Sequence, residues 1–171
     1  EKLKQSLPNC DVHFDPRRAG KVDTEASDAT PSRQDDAANS AKGRILNFPE
    51  DRSMGPLHLR DKKAGDWYED WTKFGEARGQ ITVARTKDVK LVVDSNAAND
   101  IAFLTKMGPN DLQVLSFGYK DVKIASLSPL ANLTGLKALN LQRVNFPSDD
   151  LRYLAGMSQL ETLRFGDFEL T

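Results

Sequence analysis

Hydrophobic positions between residues 112 and 170 recur along the chain at a fixed interval of 24 residues. Three segments share the pattern Leu-x-x-Leu-x-[Leu/Phe], and they begin at Leu112, Leu136 and Leu160. An internal repeat constrains architecture more strongly than local propensity, because every copy has to bury the same positions. Within each copy the apolar residues alternate with a period of two, so each segment is predicted to be a short strand with one apolar face.

Between these strands the apolar residues recur at steps of three, which is typical of a helix or a 3₁₀ turn. Ser148, followed by two aspartates, is a candidate cap for one such helix, and Ser128-Pro129 is a candidate start for the other. A single unit cannot bury both of its apolar faces, whereas stacked units share one continuous core. The apolar positions are Leu127, Leu130 and Leu133 in one unit and Leu151, Leu154 and Met157 in the next.

The repeats resemble the leucine-rich repeat family, whose consensus is L-x-x-L-x-L-x-x-N, and most closely the repeats of large bacterial proteins, especially those of planctomycetes. The resemblance implies an α/β fold, in which a leucine-rich repeat solenoid of short parallel strands and helices follows a small β-rich capping domain. The family's asparagine position falls on Lys120, Val144 and Phe168. The family's side-chain ladder to the backbone is therefore not expected, and apolar packing would replace it.

The N-terminal region divides into two segments of different composition. Residues 7–15, Leu-Pro-Asn-Cys-Asp-Val-His-Phe-Asp, resemble the closing strand that follows the last repeat in the same bacterial proteins. We therefore interpret residues 1–15 as the closing strand of a preceding repeat array or as an N-terminal extension, with Cys10 as a small buried apolar residue. Residues 16–43 contain Val22 as their single large apolar residue, and such a composition predicts a flexible linker.

Residues 44–94 are predicted to form the β-rich cap that covers the first apolar edge of the repeats at 95–171. The motif F-P-x-D-R-S-x-G-x-L in this segment resembles the region that precedes repeats in planctomycete proteins. Leu91 lies 24 residues before Leu115, so the cap is expected to merge with the repeats. Strands are expected at 45–49, 57–59, 81–83 and 89–93, with residues 86–88 as the turn between the last two.

The C-terminal end is expected to expose an apolar edge and an unpaired strand, because no polar closing unit follows Phe165, Phe168 and Leu170. We expect further repeats to follow in a longer parent protein, and the alternative is that this edge pairs with another copy. The absence of an initiator methionine also suggests an excised or processed form.

Composition excludes several function classes. The chain has 24 basic and 25 acidic residues, a balance that argues against a dedicated nucleic-acid binder. No apolar run is long enough to insert into a membrane. The two histidines, His13 and His58, lack metal-site spacing, and no nucleophile or phosphate-loop motif is present. We therefore expect a protein without cofactor or enzymatic activity, and the sequence indicates no cellular compartment.

The resemblance points to the concave face of the solenoid as the binding surface for a protein partner. In this family the non-consensus positions of each strand point outward in rows, and one row is Val92, Ser116, Asn140 and Arg164. These rows are mixed and modestly polar, which suits a protein surface. The expected contacts are Ser116, Tyr119, Asn140, Gln142, Arg143, Arg164 and Asp167.

The sequence thus predicts a non-enzymatic protein-protein interaction module within a larger protein. One alternative is a structural spacer that self-associates through the C-terminal edge. A further alternative is a carbohydrate-binding platform made of Trp67, Tyr68 and Trp71. Trp67, Trp71 and Phe74 share one face of a predicted helix, and the simpler interpretation is that they anchor that helix to the sheet.

Overall fold

A computed structural model describes residues 10–14, 43–62, 67, 69–117 and 121–166 of the chain. Strands make up 40% of the structure and helical turns 13%. The described helical segments are the 3₁₀ helices Ala102–Lys106, Ser128–Leu130 and Ser148–Leu154. The strands are β1 Asp11–Phe14, β2 Gly43–Asn47, β3 Pro56–Asp61, β4 Thr72–Glu76, β5 Gln80–Ala84, β6 Lys87–Val93, β7 Val114–Phe117, β8 Val122–Lys123, β9 Ala138–Gln142, β10 Val144–Asn145 and β11 Thr162–Gly166.

The predicted fold class, an α/β leucine-rich repeat solenoid of strands and helices, is wrong, because the structure is dominated by β-strands in mixed sheets. The segments between the parallel strands form 3₁₀ turns in place of α-helices. Their apolar residues recur at steps of three, which matches the 3.0 residues per turn of a 3₁₀ helix better than the α-helical 3.6. In addition, antiparallel strands occupy the same sheet as the parallel ones.

The main sheet has seven strands in the order β1-β11-β9-β7-β6-β3-β4. The first five are parallel to one another, and β3 and β4 continue the sheet in antiparallel pairing. Residues 24 apart lie opposite each other, so Leu91, Leu115, Leu139 and Leu163 are neighbours across four strands. The predicted register of the repeat and its extension back to Leu91 are therefore confirmed.

The core lies between this row of leucines and the 3₁₀ segments that cover the same side of the sheet. Leu91, Leu115, Leu139 and Leu163 have no exposed surface, and the leucines of the 3₁₀ segments belong to the same buried cluster. Burying each such side chain contributes about 1.5–3 kcal/mol relative to exposure. One period of the sequence therefore supplies one complete layer of the core.

The predicted helix caps do not form as side-chain caps. No side chain caps Ser148–Leu154 or Ser128–Leu130. Asp150, which is 6% exposed, instead accepts a hydrogen bond of 2.8 Å from the backbone N–H of Leu127. Since Leu127 and Asp150 belong to successive repeat units, this carboxylate joins two layers of the stack.

The N-terminal strand β1 lies beside β11 in parallel, with Asp11 opposite Thr162. The backbone N–H of Asp11 donates to the carbonyl of Glu161 at 2.8 Å, and Cys10 packs into the core as predicted. The expectation of an unpaired final strand is therefore wrong for β11, which β1 of the same chain pairs. Of the predicted linker at 16–43, residues 16–42 lie outside the described residues, as do Phe168 and Leu170, whereas Gly43 begins strand β2.

The antiparallel strands are shared between two sheets. Strand β5 pairs with β2, whereas β6 pairs with β3 and β7, so β5 and β6 do not form a hairpin. The turn between them consists of Arg85 and Thr86 and thus precedes the predicted position. Strands β8 and β10 form a third, two-stranded sheet.

We expect the Cys10 thiol to react slowly with iodoacetamide at pH 8 in the folded protein. Burial, and then the negative charge of Asp11, raise the pKa of Cys10, so that little reactive thiolate is present. Alkylation followed by mass spectrometry should be at least about tenfold slower than in denaturant. The Cys10→Ser, Ala155→Cys variant, which carries an exposed thiol, should react quickly. Equal rates for Cys10 in both solvents would contradict the docking of β1.

Candidate functional site

The side of the main sheet that faces away from the buried leucines carries the best-defined surface, and we call it the outer face. Its side chains come from the strand positions that alternate with the core leucines, as the strand pleat requires. On four neighbouring strands, Val92, Ser116, Asn140 and Arg164 lie opposite one another and are all half-buried. We call these four residues the outer row.

The structure therefore brings three of the predicted contact residues, Ser116, Asn140 and Arg164, into one line. Gln142 ends the same strand as Asn140, and its backbone N–H donates to Asn140 Oδ1 at 2.9 Å. This hydrogen bond orients the Asn140 amide. The other predicted contacts Tyr119 and Asp167, and the predicted platform residue Tyr68, lie outside the described residues.

Arg143 takes a different role from the other predicted contacts. Its backbone has a φ of 59°, in the left-handed region. Its guanidinium donates from Nε and Nη2 to Asp121, at 2.9 and 3.2 Å. These hydrogen bonds hold the pKa of the Asp121 carboxyl below its ordinary value. Arg143 thus pairs with the segment before β8.

The predicted aromatic platform forms a cover over part of the outer face. Trp67 packs on Val114 and Ala138, which are the central positions of the row next to the outer row. Its indole N–H donates to Glu161 Oε2 at 2.6 Å, and the indole N–H of Trp71 donates to the carbonyl of Trp67 at 3.0 Å. Trp67 is only 7% exposed.

The helix predicted for Trp67, Trp71 and Phe74 is wrong, because the segment leads into strand β4. The two tryptophans turn back over the sheet, while Phe74 in β4 is 40% exposed. The spacing of the three aromatic residues fitted a helical face by coincidence. The position of Trp67 is set by the apolar pair beneath it, Val114 and Ala138. These residues belong to β7 and β9, which are distant from Trp67 in the sequence.

A buried ion pair lies beneath the tryptophans. Arg60 and Asp88 are 4% and 5% exposed, and Arg60 Nε lies 3.5 Å from Asp88 Oδ2. The Arg60 guanidinium is 4.3 Å from the Trp67 ring centroid and 4.6 Å from that of Trp71. Burial raises the pKa of Asp88, and the charge of Arg60 opposes this effect. Both tryptophans thus stack on a cation that the sheet itself provides.

Three basic residues lie side by side at the β4 end of the outer face. His58 in β3 is opposite Lys73 of β4 on one side and opposite Lys90 of β6 on the other. We call these three residues the cationic strip. Burial, followed by the charges of Lys90 and Lys73, lowers the pKa of His58. Burial, followed by the charge of Arg60, lowers the pKa of Lys90.

The sequence showed that His58 and Lys90 occupy the polar positions of alternating strands. It gave no sign that they are neighbours, because the pairing of β3 with β6 joins segments separated by β4 and β5. The composition of either strand alone is ordinary. The strip therefore arises only from the sheet order.

A polar cavity of about 520 Å³ opens where β6 and β7 begin. Gln113, 7% exposed, accepts hydrogen bonds at its Oε1 from the backbone N–H of Val89 and from Arg44 Nη2, each at 2.9 Å. Its Nε2 donates to the carbonyl of Asn110 at 2.8 Å. This one side chain therefore ties three segments together at the cavity wall. The lining residues are Arg44, Lys62, Arg85, Asp88, Asn110, Asp111, Gln113, Gly135, Lys137 and Gln159.

Two further kinds of site are absent from the part of the chain that the structure describes. It contains no group of three or more His, Cys, Asp and Glu side chains arranged to hold a metal ion. Nor does it contain a helix of sufficient length and apolar character to cross a membrane. The sequence matches no protein-family model, and comparisons with curated proteins and with solved structures find no match.

Proposed function

We propose that the outer face of the main sheet binds a segment of another protein, so that the chain acts as a non-enzymatic interaction module. The observation that supports this proposal is the outer row. Its four side chains are half-buried on neighbouring strands, and none of them belongs to the hydrophobic core. Four strands at about 4.8 Å spacing span roughly 14 Å, which is wide enough for a peptide segment or loop.

The chemistry of the outer row suits a protein ligand. Val92 offers aliphatic surface, Ser116 and Asn140 offer neutral hydrogen-bonding groups, and Arg164 offers a planar donor fork. Arginine is enriched among the residues that dominate protein interfaces. A polyanion would favour a broad basic surface, whereas the whole chain carries a formal net charge of −1.

The two alternative functions have less support. Self-association through an open β11 edge is not favoured, since β1 pairs that edge. A carbohydrate platform needs open ring faces, whereas Trp67 is 7% exposed and its ring lies near Arg60. The outer row is therefore the surface to test by mutation.

We expect an Asn140→Glu, Arg164→Glu variant to lose the partner that the wild-type chain captures from an extract of its source organism. Carboxylates at two positions of the outer row would replace an amide and a donor fork, and the affinity should fall at least about tenfold. Affinity should be measured with the purified partner. That partner should also slow hydrogen exchange of the β7 and β9 backbone amides.

The matched control is Lys123→Glu, Ala125→Glu, which makes the same change in net charge at two exposed positions outside the main sheet. This control should bind like the wild type. Equal binding by the outer-row variant, with its fold verified by circular dichroism, would refute the proposal.

A further inference from the structure

We propose that Lys73, His58 and Lys90 together bind a side-chain carboxylate from an acidic segment of the partner protein, an inference that rests on the proposed function. These residues occupy equivalent positions on three neighbouring strands and point to the outer face. The site is the cationic strip, and its ligand chemistry is an anionic oxygen presented by a peptide.

Like charges placed directly opposite each other on neighbouring strands destabilise a sheet. Lys73 is partly compensated by Glu76, with Nζ 3.2 Å from Oε1. Lys90 forms no ion pair among the described residues, and its Nζ lies 5.7 Å from the centroid of the Trp71 ring. The sheet thus carries a half-buried lysine beside other cations, an arrangement that an incoming carboxylate would relieve.

The groups that face His58 come from every strand packed around it. Lys73 and Glu76 belong to β4, Lys90 belongs to β6, and Arg60 follows His58 on β3 with Asp88 as its partner. These neighbours carry one more positive than negative charge while His58 is neutral. The excess becomes two when His58 is protonated, so the strip attracts an anion at either protonation state.

One nitrogen of the imidazole lacks a partner. His58 Nδ1 is buried and has no hydrogen-bond partner among the residues that the structure describes. A histidine that serves only the fold is usually held by a carboxylate or carbonyl. Here Glu76 favours a proton on His58, but burial and the charges of Lys90 and Lys73 oppose it, so negative charge from outside would stabilise that proton further.

The shape of the surroundings favours a carboxylate on a protein over a longer polyanion. The strip covers three strands, and the half-buried Trp71 and Val92 lie beside it as apolar contacts for the rest of a peptide. A nucleic acid would need several phosphate contacts along a basic track, and the adjoining outer row contains a single cation, Arg164.

Binding should depend on pH in a defined direction. In the free chain the pKa of His58 is lowered, so the unfolded state takes up a proton first and stability falls as pH drops below about 6.5. A bound carboxylate raises the pKa of His58, so the complex takes up a proton. Affinity should therefore increase as pH falls from about 7.5 to 5.5. The increase should be at most tenfold for each unit by which binding raises the pKa of His58.

The probe is a synthetic tetraglutamate peptide with an acetylated amino end and an amidated carboxyl end, and tetraglutamine is its uncharged control. Glutamate, with a pKa of about 4.3, remains mostly ionised at pH 5.5. Binding to the full chain is followed by NMR of the imidazole signals, of which the chain has two. A His58→Gln variant identifies the signal of His58.

We expect tetraglutamate to bind saturably, to shift the His58 signal and to bind more tightly at pH 5.5 than at pH 7.5. Lys90→Gln should weaken binding roughly fivefold or more, whereas Lys123→Gln at an exposed position should leave it unchanged. Since Lys90→Gln removes like-charge repulsion, its melting temperature should not fall, so weaker binding would not reflect unfolding.

Absence of binding at both pH values, or equal binding of tetraglutamine, would overturn the proposal. Binding of inorganic phosphate at His58 without binding of tetraglutamate would also overturn it. These results are independent of the outer-row experiment, because Asn140→Glu, Arg164→Glu leaves the strip intact. A partner lost with that variant would support the proposed function even if tetraglutamate fails to bind.

Discussion

A Gly55→Ala substitution is expected to lower the free energy of unfolding by more than about 3 kcal/mol or to prevent folding. Gly55 has a φ of +123°, a region that side chains other than glycine rarely adopt. A Cβ at this position would lie 2.1 Å from the carbonyl oxygen of Val92 and 2.8 Å from the backbone nitrogen of Asp94. The obstacles are backbone atoms at the end of β6 and directly after it, so neither can rotate away as a side chain could.

Two backbone hydrogen bonds explain why Gly55 lies so close to the backbone at the end of β6. The backbone N–H of Asp94 donates to the carbonyl of Met54 at 2.9 Å, and that of Ala77 donates to the carbonyl of Gly55 at 2.8 Å. Residues 54 and 55 thus connect the end of β6 to the segment after β4. The glycine of the sequence motif at 48–57 is required by this contact.

Urea unfolding followed by circular dichroism would measure the effect. Gly156→Ala is the matched control, because nothing lies within 4 Å of a Cβ built at Gly156, which has no positive φ. It should change stability by no more than about 0.5 kcal/mol. A Gly55→Ala protein with an unchanged urea midpoint would contradict the close approach.

A Gln113→Leu substitution is expected to destabilise the chain by about 2–4 kcal/mol. The leucine fills a similar volume but removes the hydrogen bonds that Gln113 makes with the N–H of Val89 and the carbonyl of Asn110. Arg44 Nη2 also loses its bond to Gln113 but keeps one of 3.1 Å to the carbonyl of Lys87. Each unpaired buried group costs about 1–3 kcal/mol, and partial access of water at the cavity reduces the sum.

The control for this prediction is Gln159→Leu, the same chemical change at an exposed position of the cavity rim. Gln159 accepts one hydrogen bond of 2.8 Å from Lys137 and is open to solvent. Loss of this hydrogen bond should lower the free energy of unfolding, determined from urea unfolding, by no more than about 0.5 kcal/mol. Equal effects at both positions would show that Gln113 does not join the three segments.

The outer row could be predicted from the sequence because it depends only on the repeat. Once residues 24 apart are neighbours, the polar positions between core leucines line up, and Ser116, Asn140 and Arg164 follow. The fold class was not predictable in the same way. A step of three residues suited either helix type, and a family resemblance favoured helices where the chain forms 3₁₀ turns.

The packing of the aromatic residues on the sheet was expected, but their partners there and the cationic strip were missed for a different reason. Trp67 packs on Val114 and Ala138, which belong to β7 and β9. His58 lies opposite Lys90 only because β3 lies between β4 and β6 in the sheet. Each contact joins segments with no periodic relationship to one another. No local pattern encodes such a pairing, since it depends on which strands are neighbours.

The sequence by itself determined the register of the repeated strands β6, β7, β9 and β11 and the core leucines that they share, because a period of 24 residues forces equivalent side chains into one layer. Only the tertiary structure decided the order β1-β11 at one edge and β6-β3-β4 at the other. It also decided which parts of the outer face are covered and where its cations gather. Backbone hydrogen bonds between strands are indifferent to side-chain identity, so the pairing of non-repeating strands is set by packing of the whole chain.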